Sequence, residues 1–242
     1  MPVGIIVNSL AILIGGLIGA SSGSRLSAEF KEKLNMVFSI GAMGMGIVSI
    51  ILMQNLPAVV LSLILGTILG IALRLSARIE KGGRLLQKGL EKMLPGIAGK
   101  GTQDNSALLL TTVVLFCASG SGIYGSIVSG ISGDHSILIA KSILDLFTAM
   151  IFACTLGAVT AAIALPQFCI FMLLFLLAKV IYPLTTPTMI SDFKACGGLI
   201  LLATGLRIAK IKEYPVADMI PAMLLVWPIS AAWTAWILPL IG

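Results

Sequence analysis

Cys117-Ala118-Ser119-Gly120-Ser121-Gly122-Ile123-Tyr124-Gly125-Ser126, then Ser132-Gly133-Asp134-His135, then Lys141-Ser142 and Asp145, interrupt an otherwise apolar chain. Long runs of Leu, Ile, Val, Ala and Phe flank and separate them. The stretch therefore reads as two membrane-crossing segments joined by a short turn, the first broken by glycine and the second carrying charge. Glycines, hydroxyls and ionisable groups at membrane depth are costly. They mark the first place to look for function.

Composition agrees with that reading. Of 242 residues, 58% are hydrophobic and 11% charged, with a mean hydropathy of +1.08; a soluble domain carries about a quarter charged residues. The sequence predicts an all-α polytopic membrane protein forming a single transmembrane domain over residues 1–242. The opening Met1-Pro2-Val3-Gly4-Ile5-Ile6 lacks a basic lead, and no small-residue cleavage site with polar sequence follows, so a retained first helix is expected instead of a signal peptide.

Eight segments approach the roughly 17–25 apolar residues that a crossing helix needs. They are Val3–Ala20, Leu34–Met53, Ala58–Leu73, Ala107–Ile131, Ile137–Ala164, Phe168–Tyr182, Ala195–Ile211 and Val216–Ile241. With the N-terminus outside and all eight crossing, Arg25, Lys31 and Lys33, the run from Arg74 to Lys100, and Arg207, Lys210 and Lys212 share one side. That places thirteen of the sixteen Lys and Arg inside and both termini outside. A re-entrant fourth segment is the alternative and leaves ten inside. Residues 76–106 form the one long loop, predicted cytoplasmic, with an amphipathic surface helix over Arg84–Leu94 stopped by Pro95-Gly96.

Trp227, Trp233 and Trp236 mark an outer interface, and Pro221, Pro228 and Pro239 predict a kinked or interrupted last helix. An inverted repeat is a further candidate, matching Lys33, Ala42, Gly44, Ile47 and Pro57 to Lys194, Ala203, Gly205, Ile208 and Pro215. The net charge of +6 sits in short loops beside apolar spans, which argues for membrane orientation and against nucleic acid. Cys117, Cys154, Cys169 and Cys196 stand singly in separate apolar segments, with neither metal-ligand nor disulfide spacing. His135 has no further ligands near it in sequence, so no metal site or cofactor is expected. Phosphate-loop, zinc-protease and nucleophile signatures are missing, and adjacent Lys141 and Ser142 point about 100° apart on a helix. No enzyme activity is expected.

Lys141 and Asp145, four apart, share a helix face and can pair. They read either as a titratable or ion-coordinating site or as a snorkelling lysine beside a packing acid. Ser119, Gly120, Ser121, Gly122 and Tyr124 read either as a discontinuous helix lining a cavity or as a tight packing seam. With Ser142 these form the candidate substrate or ion site. Asn8 and Asp218 are additional members, Asp218 having the alternative of pairing with Arg207 or Lys210. Gly15 with Gly19, and Gly66 with Gly70, have the spacing that lets helices touch.

Phe116 to Gly125, Gly133-Asp134 and Ile139 to Asp145 closely resemble the YqgA/YdfK family of uncharacterised bacterial inner-membrane proteins, the YqgA branch most of all. The resemblance extends through Asn8 and Gly15-Gly16, Thr155-Leu156-Gly157, Leu184-Thr185-Thr186-Pro187, Gly197-Gly198, Thr204-Gly205-Leu206 and Ser230 to Trp236. It implies a multi-pass protein of the bacterial inner membrane, and little about chemistry. Family members typically carry glutamate where this chain has Ile71, often an acid where it has Ser129, and usually asparagine where it has Asp218. Two functional expectations follow from the residues. The first is a small secondary transporter or channel-like protein for a small polar or ionic solute; the second is a non-transporting membrane sensor or scaffold that meets lipid headgroups or a partner through Arg74 to Lys100. Close-contact glycines also make a homodimer an expectation.

Overall fold

The computed structural model describes residues 1–22, 27–93, 109 and 112–241. Arg25, Lys100 and the end of the 76–106 loop lie outside the described residues. Every regular element among the described residues is helical. They comprise α1 (Val3–Ser22), α2 (Ala28–Ile50), α3 (Leu56–Ala72), α4 (Leu75–Met93), α5 (Gly120–Ser132) and α6 (Ser136–Leu156). The chain continues with α7 (Val159–Ala162), α8 (Ala164–Ile181), α9 (Pro187–Ile208), α10 (Val216–Met219), α11 (Ala222–Ala232) and α12 (Leu238–Ile241).

Seven helical stretches are long and apolar enough to cross a membrane, and an eighth results when α3 and the start of α4 are taken as one bent span. Each predicted segment has its counterpart, so the chain is an all-α, multi-pass membrane protein. The boundaries move where local chemistry moves them. Gly157, at φ 74°, ends α6 before the predicted Ala164, and the next span begins at Val159 instead of Phe168. The seventh begins at Pro187, eight residues ahead of its predicted start. A hydropathy reading skips Ser191-Asp192, yet Asp192 is fully buried. Thr186 caps this helix by accepting from Met189 N at 3.3 Å, with Pro187 in the first turn.

Helix α4 begins ahead of the predicted Arg84, at Leu75 just after Arg74, whose φ of 50° breaks it from α3. Its exposed side carries Arg78, Lys81, Arg84 and Lys88, while Leu86 packs inward. In the last span, helix interruption falls at Ile220-Pro221 and again in a π-turn over Trp233–Ile237. Trp236 is exposed, whereas Trp227 stacks on Phe193 with ring centroids 4.6 Å apart.

The chain divides into two compact units. The first, Met1–Asn35 with Ala77–Ala178, is built on α1 lying along α6. Gly15 and Gly19 face the carbonyls of Leu146 and Met150, and a methyl group added at Gly16 would sit 2.6 Å from Ala161 Cα. Two apolar clusters fill this unit, one around Ile12, Val113, Phe116 and Ile163, the other around Ile5, Leu138, Phe171 and Phe175. Backbone-to-backbone contact of this kind leaves no room for a side chain. Gly15→Leu is expected to cost about 1–3 kcal/mol by overpacking, read as a lowered thermal midpoint, whereas the same change at Gly44, with nothing within 4 Å, should be nearly silent.

The second unit is Met36–Ser76 with Lys179–Gly242. Gly66 and Gly70 of α3 seat against Ala222 and the Asp218 carbonyl, and α2 meets α9 where Gly46 and Gly198 face one another. The residues matched in the candidate inverted repeat have unlike surroundings here. Gly44 is open, while a methyl at Gly205 would lie 2.9 Å from the Ser39 carbonyl.

Candidate functional site

Lys141 and Asp145 do share one face of α6, and both are buried, their side chains 4% and 8% exposed. The Lys141 ammonium donates to Asp145 Oδ1 at 2.8 Å and Oδ2 at 2.7 Å. Asn8, on α1 and fully buried, donates from Nδ2 to Asp145 Oδ2 at 2.8 Å, so this additional candidate belongs to the site. Two members escaped the sequence reading. Gln167 Nε2 donates to Asn8 Oδ1 at 2.8 Å, and Ser9 Oγ donates to Gln167 Oε1 at 2.6 Å. The available signal was Gln167 itself, a fully buried amide at the head of an apolar run.

One charge fixes the direction of every bond in this chain. Ionised Asp145 can only accept, so Asn8 must turn its NH₂ toward it and its oxygen away. That oxygen requires the NH₂ of Gln167, whose own oxygen then requires the proton of Ser9. The network is polar, and it points one way.

The predicted helix break is present. Ala118 N donates to Val114 O at 2.9 Å, and the next turn restarts with Ile123 N donating to Ser119 O at 3.0 Å. Ser119 Oγ caps α5 by accepting from Gly122 N at 3.2 Å. Cys117, just ahead of the break, lies within electrostatic reach of Lys141. The glycines beyond the break serve packing: Gly122 seats against the Phe171 ring and Gly125 against Leu138. Break and seam therefore occur together. Tyr124 is buried at 1% exposure. Two further candidates have hydrogen-bond partners of their own. Ser142 donates its hydroxyl to Leu138 O at 2.6 Å. Asp218 lies in the other unit, where Oδ1 and Oδ2 accept from Ser76 N at 2.9 Å and Ser76 Oγ at 2.6 Å, a local tether and not the basic pairing weighed from sequence. Ile71 is exposed, and Ser129 Oγ contacts His135 Nδ1 at 2.7 Å.

A second buried carboxylate was missed altogether. Asp192 Oδ1 accepts from the amides of Gln54 and Asn55, both at 2.9 Å, and Oδ2 accepts from Asn55 Nδ2 at 3.0 Å and Ser230 Oγ at 2.6 Å. A carboxylate offers about four lone-pair sites, and here all four are taken. Asp192 is a brace joining the start of α3 to α9 and α11. The first site differs in kind. Lys141 retains at least one ammonium proton, and Asp145 Oδ1 a lone pair, with no acceptor or donor among the described residues. Among those residues no group of three His, Cys, Asp or Glu is placed to hold a metal.

Two relatives carry the likeness across nearly the whole chain. "Uncharacterized protein YqgA" of Escherichia coli (strain K12) is 44% identical over 238 residues, covering 98% of this chain and 99% of the relative. "Uncharacterized membrane protein YdfK" of Bacillus subtilis (strain 168) is 28% identical over 229 residues, covering 92% and 93%. No solved structure matches. Residues 3–231 match the family described as protein of unknown function (DUF554), and the chain, a multi-pass membrane protein with a buried Lys–Asp–Asn–Gln network, belongs to that family.

Proposed function

We propose that the protein is a small secondary transporter or channel-like protein of the bacterial inner membrane, with both termini periplasmic, that moves a small polar or ionic solute past Lys141 and Asp145. One observation carries this reading: a buried ion pair in a membrane helix keeps a donor and an acceptor uncommitted, while the buried carboxylate of Asp192 keeps none. Ionisable groups at such depth ordinarily mark a pathway for ions or solutes. The helix break at Ala118-Ser119 supplies polar backbone in the same unit as the pair. Lys141 would meet an anionic or acceptor group, and Asp145 a coupling cation or a donor.

The test is a thermal-shift screen across ions, organic acids and amino acids, followed by flux of any hit into liposomes. Lys141→Ala and Asp145→Asn are expected to abolish both the shift and at least about 90% of the flux. Wild-type flux in Asp145→Asn would end the proposal. A second reading, a sensor or scaffold without transport, is favoured by the exposed cations of α4, which suit anionic headgroups. It requires that charge-neutral replacement of Arg78, Lys81, Arg84 and Lys88 abolish function while Asp145→Asn retains it.

A further inference from the structure

A groove of about 330 Å³ runs along α1, α7 and α8 in the first unit, lined by Ile6, Ser9, Leu10, Leu13, Leu165 and Phe168 among others. Its size falls at the lower end of the roughly 300–1,000 Å³ range of small-molecule sites. Its walls are almost wholly aliphatic or aromatic, and it lies on spans that cross the membrane. Ser9 brings the polar atom. Because the charge on Asp145 orients Asn8 and Gln167, the Ser9 proton is committed to Gln167 Oε1. The hydroxyl can offer the groove only its lone pairs.

We infer that this groove binds a membrane-dissolved lipophile carrying a single hydrogen-bond donor, of the long-chain alcohol class, with its hydroxyl donating to Ser9. An apolar body satisfies the walls, and a donor head satisfies the one polar atom. A head that only accepts would meet an oxygen with no proton to give. Occupancy is thereby connected to the Lys141–Asp145 pair through three hydrogen bonds. Binding does not require that the pair move a solute, so failure of one reading leaves the other standing.

The test uses the full-length protein in lipid nanodiscs and a long-chain alcohol bearing a diazirine on its tail. Photolabelling is expected to concentrate on α1 and α8 residues of the groove. Unlabelled alcohol should compete about tenfold better than its methyl ether of equal length, the worth of about one hydrogen bond. Ser9→Ala should bring the two competitors level without abolishing labelling, and Leu13→Trp, which fills the groove, should remove it. The wild-type comparison suffices alone should Ser9→Ala fail to fold. Equal competition by alcohol and ether would overturn the inference. So would labelling spread evenly over the lipid-facing helices.

Discussion

Asp192→Ala is expected to destabilise the detergent-solubilised protein by about 3 kcal/mol, the sum for three buried donors that each cost at least about 1 kcal/mol when left without an acceptor. The groups stranded are the Asn55 amide, the Asn55 Nδ2 proton that does not reach Thr234 Oγ1, and Ser230 Oγ, whereas Gln54, the fourth donor, is exposed. Water cannot replace the lost acceptors cheaply, because Asp192, Ser230 and Asn55 are buried at 0%, 0% and 7% exposure. Asp192→Asn keeps one oxygen, yet its NH₂ must face other donors, so about half the loss is expected. The measurement is the thermal midpoint, with yield of folded protein on size exclusion as a second reading. A loss below about 1 kcal/mol for Asp192→Ala would show that the brace carries no weight. Asp192→Asn protein that survives purification should keep any ligand-induced shift, since the charged pair of the first unit is untouched.

The spans were legible because bilayer thickness imposes a length and composition that survive in one dimension. Lys141 and Asp145 could be paired from spacing alone, since an i,i+4 relation on a helix is local information. Asn8 was visible as an amide in an aliphatic run, though not its partner. Asp192 was hidden because averaging hydropathy treats a polar helix start as loop, and because its partners at Asn55 and Ser230 come from distant sequence. A regularity does connect the two cases: Asn8 and Asp145 are separated by 137 residues, and so are Asn55 and Asp192. Asn8 stands seven residues before Gly15 and eleven before Gly19, as Asn55 stands before Ser62 and Gly66. The amide–acid pairing was thus a stronger internal correspondence than the glycines at 44 and 205. What distinguishes its two instances is the third dimension. In one unit Lys141 completes the acid with charge, and in the other four neutral donors complete it.

Neutralising the charged pair one residue at a time, and then together, separates chemistry from packing. Lys141→Met leaves Asp145 buried without its cation, and Asp145→Asn leaves Lys141 without its anion. Each is expected to cost about 3–5 kcal/mol, the usual penalty for an uncompensated buried charge. The double variant Lys141→Met with Asp145→Asn removes both charges and keeps an oxygen at 145 for Asn8 Nδ2 to reach. It should recover to within about 1–2 kcal/mol of the parent, so the measured coupling between the sites should exceed about 2 kcal/mol. Thermal midpoints of the four proteins give that coupling. Activity then decides what the pair is for. If it only holds α1 against α6, the double variant, stable and packed, should regain whatever ligand shift or flux the parent shows. If the charges of Lys141 and Asp145 meet a solute through the remaining proton and the free lone pair, the double variant should fold well and stay inactive, because neither charge remains. Restored stability with restored flux would assign the pair to packing; restored stability with flux still lost can come only from a site whose charges are used.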